Sequence, residues 1–466
     1  MTSPSDGKVR RVMRSLPVPA RRLRALVSIE GLLAVGLVTA LFVLSLEVEA
    51  LGGSTPYRNA GLAITTVCAL AVAVRAALVR AEGAAGIRGR YLAPLGRLLR
   101  DPLALSAGVY FAYSGIHSLV VDRYVLATGL ALIALLLVSA MNQVDVSRLV
   151  VALRWGFLAL LALLLVPALT SGGYDETKRV WIDILPGRYF GWSNPNALAL
   201  LAGIGILLAL PSLRSRVGAL LVLLSSILLA LTASYTTLIA LPVAIVVFYV
   251  FAHPKSALLL KPLPRVKVGL LQGVTLLVAA AILVGTAQIG TAWGIRLLDD
   301  LQDRLLLSNR SALWSDLLTQ TRDEHTFLTG LGSMRLGEYT MEILGVQTAH
   351  STLLQSYLAG GFLMAALLII TATVAVFRTL QSLSATRSLP GRLALALALY
   401  LCVVALTSTQ PASPPVLLLV LLLAGALPTR RPAPAPAADT AAPSDDVVIE
   451  TDDVASHPAK PPHSAG

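Results

Sequence analysis

The sequence predicts an all-α integral membrane protein of about twelve transmembrane helices, with a long extracytoplasmic loop containing an amphipathic helix. Three observations predict it. Of 466 residues, 56% are apolar and only 13% are charged, against roughly 25% charged in a soluble domain. A water-soluble globule of this size is therefore excluded. Apolar runs reach or approach the roughly 20 residues that cross a bilayer as a helix. The basic residues, finally, cluster in alternate segments between those runs.

Residues 1–24 form a basic cytoplasmic N-terminus that ends in Arg21, Arg22 and Arg24. The apolar run 26–46 comes next. It is too long for a signal-peptide core and no small-residue cleavage site follows, so it reads as a retained first span. Further runs lie at 60–79, 103–121, 124–141, 149–169, 197–213, 217–232, 236–252, 268–287, 351–377, 393–408 and 415–427. The pairs 103–121/124–141 and 217–232/236–252 read as tight helical hairpins, and the last run is short. Residues 25–428 thus make a polytopic membrane domain. Beyond Arg431, Pro, Ala and Asp dominate. Such a composition cannot bury enough apolar surface to offset its ordering entropy, so 429–466 reads as a disordered cytoplasmic tail. Cys68 and Cys402 both fall inside apolar runs and supply neither a disulfide framework nor metal-ligand spacing.

The net charge of +12 could suggest nucleic acid in a soluble protein. Here it resolves into topology. With the N-terminus inside, 25 Lys and Arg fall in inside segments and 10 in outside segments, while Arg75 and Arg154 lie within spans. Eight of the ten outside residues sit in the two long loops. The positive-inside rule therefore places both termini in the cytoplasm, and no nucleic-acid partner is expected.

A coupled transporter needs ionisable groups near the bilayer midplane, where each costs roughly 2.5–3.5 kcal/mol and is kept for function. Only Glu30, Arg75 and Arg154 lie within predicted spans, each near a cytoplasmic end where a long side chain can snorkel to the interface. No acidic residue stands at mid-depth. The chemistry is then expected in two long outer loops, 170–196 and 288–350, set on a rigid helical frame.

The first loop ends in Gly-Arg188-Tyr-Phe-Gly-Trp-Ser-Asn194-Pro195-Asn196. Pro195 suits the first turn of the next helix, with Asn194 as its cap. In the second loop Leu313, Trp314, Leu317 and Leu318 recur at helical spacing after Arg310. That amphipathic helix either lies on the membrane surface or caps the bundle, and Gly330-Leu331-Gly332-Ser333 breaks it. His350 stands where the tenth span enters the membrane.

These segments together resemble the O-antigen ligase and polymerase superfamily, bacterial inner-membrane enzymes that join lipid-carried glycans to an acceptor. Three pieces match in order: Arg188-x-x-Gly191-x-x-Asn194-Pro195-Asn196, Arg310-x-x-Leu313-Trp314 followed by Gly330-x-Gly332, and His350 with Leu353 and Gly360-Gly361 after it. The similarity covers about 180–380. Two positions depart from the family pattern: Ser351 stands where Asn often follows the histidine, and Ser234-Tyr235 where Ser-Arg is common.

The resemblance implies transfer of a glycan from a polyprenyl-diphosphate carrier to a hydroxyl acceptor at the outer face of the cytoplasmic membrane. Arg188 and Arg310 would clamp the diphosphate, because guanidinium matches phosphate bidentately and stays charged. His350 would serve as the catalytic general base toward the acceptor hydroxyl. Asn194, Pro195, Asn196 and Trp314 would shape the site. The diphosphate is already a good leaving group, so no metal or other cofactor is expected. The partners implied are the lipid-linked donor, a lipid or glycan acceptor and membrane lipids. A repeat-unit polymerase uses the same donor and similar motifs and stays open, as does a glycolipid transporter or flippase. Enzymes that use polyprenyl-phosphate sugars place carboxylates in the first outer loop, but Glu47 and Glu49 lack the paired-Asp arrangement.

Overall fold

Within a bilayer every backbone amide must find a partner inside its own segment, which leaves the helix as the economical solution for an isolated apolar run. A computed structural model of the chain is correspondingly helical. It describes residues 28–45, 55–82, 101–121, 125–169, 174–175, 188–189, 194–252, 317–319, 321, 326–332, 335–336, 351–386, 388–406 and 413–427. Contacts divide the chain into residues 1–429 and 430–466, and every described residue belongs to the first unit.

Eleven principal helices stand among the described residues: α1 (Ile29–Ser45), α2 (Thr55–Glu82), α3 (Pro102–Val120), α4 (Val125–Ala140), α5 (Val146–Leu164), α6 (Pro195–Ala209), α7 (Arg216–Thr232), α8 (Tyr235–Val250), α9 (Thr352–Thr386), α10 (Leu389–Ala405) and α11 (Pro414–Gly425). They coincide with apolar runs of the sequence. The run 268–287 lies outside the described residues, as do the N-terminal 1–24 and the tail. Among the described residues, four segments are long and apolar enough to cross a membrane: Pro102–Val120, Val146–Ala168, Pro195–Ser212 and Thr352–Leu383. Among the described residues, the departure from helix is one two-residue ladder, β1 (Tyr174–Asp175) with β2 (Arg188–Tyr189).

Helix α6 is the central one. Nearly every residue from Pro195 to Ala209 is buried, as expected for a helix that is apolar on all sides. It touches α5, α7, α8 and α10. Lipid tails are as apolar as leucine, so helices associate in a membrane through close packing at small residues. A Cβ on Gly205 would stand 2.5 Å from the Ser225 hydroxyl, and one on Gly156 would stand 2.7 Å from Val38. Neither neighbour leaves room for a methyl group.

Polar contacts knit each end of the bundle separately. At one end, the Asp101 side chain caps α3 by accepting from the amides of Leu103 and Ala104. Arg378 of α9 donates through Nη1 to both Asp101 carboxylate oxygens, at 2.6 and 2.5 Å. Its Nη2 donates to the carbonyl of Gly425, the last residue of α11, at 2.7 Å. The Glu30 carboxylate of α1 accepts from the Asp145 amide that opens α5, at 3.1 Å. Arg392 at the start of α10 stacks over Phe248 near the close of α8.

Arg154 of α5 also makes its contact at a helix end. Its Nε donates to the Leu208 carbonyl at 2.8 Å, where the closing carbonyls of α6 lack helical partners and carry partial negative charge. At the opposite end His117, Leu164, Asn196, Ser234 and Gly360 are joined by the contacts described next. The described chain therefore leaves the Asp101 end at Ala252 and resumes at the His117 end at Ser351.

Candidate functional site

Two groups of residues build the His117 end. The first is formed by the entry to α6. β1 and β2 pair antiparallel, with Tyr174 opposite Tyr189 and Asp175 opposite Arg188. Tyr189 is fully buried and its hydroxyl donates to the carbonyl of Leu164, the last residue of α5, at 2.7 Å. That bond takes up one of the carbonyls that every helix end leaves over. The backbone of Arg188 is thus fixed beside the end of α5.

Five residues on, Asn194 takes the extended conformation of a cap, and its side chain accepts from the Asn196 amide at 2.9 Å. Pro195 occupies the first turn, as the spacing predicts. Asn196 then reaches sideways, its Oδ1 accepting from the Ser234 hydroxyl at 3.3 Å. Ser234 is buried at the head of α8, directly after Ala233, which is left-handed at φ 47° and turns the chain between α7 and α8. Two segments that the sequence motifs single out, Asn194–Asn196 and the α7–α8 turn, are therefore in contact. Ser234, which Tyr235 follows, supplies that contact.

The second group surrounds a break in α9. Gly361 has φ 71° and ψ −172°, a conformation essentially restricted to glycine. A break deprives the turn before it and the turn after it of their usual partners. Residues 327–332 provide them: the amides of Leu331 and Gly332 donate to the carbonyls of Leu358 and Ala359 at 2.7 and 2.9 Å, and the Phe362 amide donates to the Phe327 carbonyl at 2.9 Å. Gly330, at φ 73°, lies so close to Ala359 that a Cβ would meet its carbonyl at 2.5 Å.

Helix α3 supplies the side-chain contacts. The Tyr113 hydroxyl donates to the Gly360 carbonyl at 3.0 Å, and His117 Nε2 stands 2.5 Å from the Thr329 carbonyl. A small apolar cluster of Leu317, Leu318, Leu331, Leu336, Leu358 and Ala359 lies around the break, separate from the main core. Leu317 and Leu318 were expected on a helix that either lies on the membrane or caps the bundle. They are buried in one cluster with Leu358 and Ala359 of the first part of α9.

Among the residues expected from the sequence, Asn194, Pro195 and Asn196 are described in full, and Arg188 by its backbone. Arg310, Trp314 and His350 lie outside the described residues. Among the described residues, no group of three or more His, Cys, Asp or Glu side chains could hold a metal ion. The sequence alone assigns no site role to Tyr189, Ser234 or His117. The last carried a readable signal: Tyr113 and His117 are polar residues four apart, hence on one face of an otherwise apolar helix. No protein-family model matches the chain, and no curated protein matches it.

Proposed function

We propose that the protein is a membrane glycan transferase of O-antigen ligase type. It moves a glycan from a polyprenyl-diphosphate carrier to a hydroxyl acceptor at the outer face of the bacterial cytoplasmic membrane. The observation that carries the reading is the construction of the α6 entry. A motif of arginine followed by Asn-Pro-Asn is tied to two neighbouring elements, through Tyr189 to α5 and through Asn196 to the head of α8. Helix capping alone needs only Asn194. The further ties are what a site requires to hold an arginine loop rigidly on its frame.

In this reading the Asp101 end is cytoplasmic and the His117 end faces out. The chain crosses the membrane twelve times with both termini inside, which agrees with the 25-to-10 split of basic residues. The move from the Asp101 end at Ala252 to the His117 end at Ser351 requires an odd number of crossings, which the run 268–287 would supply. Arg188 and Arg310 hold the diphosphate and neutralise the charge that develops on the departing carrier phosphate. His350 takes the proton from the acceptor hydroxyl as the new glycosidic bond forms and the bond to the carrier breaks. Coupled transport is less well supported, because Glu30 and Arg154 are engaged at helix ends.

The test is reconstitution of the purified full chain in liposomes with a polyprenyl-diphosphate-linked oligosaccharide and a lipid or glycan acceptor. Released carrier and a new glycosidic linkage are expected, with His350→Ala slowing transfer by about 10²- to 10⁴-fold. Arg310→Lys should also lose much of the activity, since an ammonium cannot reproduce the planar fork. Movement of intact donor across the bilayer without carrier release would replace the transferase by a flippase. The acceptor that is consumed separates ligase from polymerase.

A further inference from the structure

We infer that His117 is a positioning residue for the proposed transfer, acting through the Thr329 carbonyl on the half-helix 352–360. The inference rests on the transferase reading, because the half-helix begins just after His350. Its physical basis is the break at Gly361. In the membrane each unsatisfied backbone group costs several kcal/mol. The carbonyls of Leu358, Ala359 and Gly360 and the amide of Phe362 are nonetheless all satisfied, by loop 327–332 and by Tyr113. Break and loop depend on each other: without the docked loop the helix would have no reason to open, and without the opening the loop would have no partners.

His117 holds this assembly from the side of α3. A carbonyl can only accept, so Nε2 carries the proton in its 2.5 Å contact with Thr329. His117 is 6% exposed, and its ring centroid lies 5.8 Å from that of Tyr113 one turn earlier. One face of α3 thus grips both partners, Tyr113 the opened helix and His117 the inserted loop. An apolar residue at 117 could fill the same space with no polar obligation. A buried imidazole must be bonded or bear its desolvation cost, so its presence makes docking of the loop specific to one register.

The separate apolar cluster explains why that register matters. Leu331 and Leu336 of the loop region bury against Leu358 and Ala359 of the half-helix, so loop and half-helix form one small unit. That unit meets the main bundle through Gly361 and the grip of α3. Where the half-helix points, and hence where Ser351 opens it, follows from these contacts. A displacement of about 1 Å at a reacting group can cost about 10²-fold in rate.

The experiment compares His117→Leu and His117→Gln with the wild type in the full-length reconstituted protein. Glutamine can place an amide N–H near the position of Nε2. It reads three quantities: the turnover and KM for the diphosphate-linked donor, hydrogen exchange of amides in 326–332 and 352–360, and the thermal midpoint. His117→Leu is expected to lower kcat about 10- to 100-fold with KM within about twofold, to speed exchange in both segments, and to leave the thermal midpoint nearly unchanged. His117→Gln should restore most of the turnover. Unchanged kcat in His117→Leu overturns the assignment, as does a loss that follows the thermal midpoint and is not rescued by glutamine. Wild-type protein inert toward the donor would instead defeat the transferase reading. The exchange data then decide the grip alone, faster exchange confined to the two segments upholding it and unchanged exchange rejecting it.

Discussion

Helices α3 and α9 are fastened to each other at both ends, and the two fastenings differ in kind. At the Asp101 end both helices stay regular and side chains make the bond, Arg378 meeting a carboxylate that already caps α3. At the His117 end α9 gives up its own hydrogen bonds, and backbone from a distant loop replaces them. The first arrangement joins two helices. The second joins two helices to a third segment, and it works only because Gly361 can adopt a conformation closed to other residues. A membrane bundle thus keeps its regular packing where it needs cohesion and opens a helix where a loop must be set in place.

The largest effect is expected from Asp101→Ala. The pair is partly shielded, with both side chains 13% exposed, and removing one member leaves an uncompensated cation as well as an uncapped helix. A loss of about 3–5 kcal/mol in global stability is expected, read from equilibrium unfolding in mixed detergent. Asp101→Leu combined with Arg378→Met should recover most of it. A loss no larger in the single variant than in the double one would show that the charge contributes nothing.

Gly361→Ala comes next. A Cβ there would overlap the Leu328 backbone and impose a strained φ, for an expected cost of about 3 kcal/mol. The cost should be local: hydrogen exchange should rise in 326–332 and 352–360 while the remainder of the bundle stays protected. Cooperative loss of the whole bundle would mean that the two fastenings are equivalent, and the comparison would fail. Tyr113→Phe should be the mildest change, removing one bond to the Gly360 carbonyl at about 1 kcal/mol. Exchange in 352–360 should rise by roughly fivefold, and the Asp101 end should show no change.

The same contrast explains what the sequence reveals. Helix positions are legible because hydropathy alone dictates them, so α1, α3–α8 and α10 fall on the apolar runs to within a few residues. Helix α9 is harder. Its apolar run stops at Phe377, yet the helix continues to Thr386, and Arg378 finds its partners in Asp101 and the Gly425 carbonyl. The break at Gly361 was present in the sequence only as a Gly-Gly pair, which in a membrane helix equally marks close packing. What decides between the two is the partner loop some thirty residues upstream, and no local pattern encodes that pairing. Of the candidate site, the Asn-Pro-Asn cap is legible because capping is local. The bond from Asn196 to Ser234 depends on how α6 and α8 lie together, and spacing is silent on it. The partner of Arg154 is hidden for the same reason, since it is a carbonyl on a neighbouring helix.

The small ladder before α6 bears on how the protein can diversify. Because β1 and β2 are stapled together and Tyr189 is tied to the end of α5, residues 176–187 are an excursion whose two ends meet at a fixed base. Lengthening such an excursion costs only about 0.6 kcal/mol for each doubling. Insertions, deletions and changes of composition between 176 and 187 can therefore accumulate without moving the backbone of Arg188 or the start of α6. Sequence change in that stretch can thus proceed while the frame beneath it is inherited unaltered.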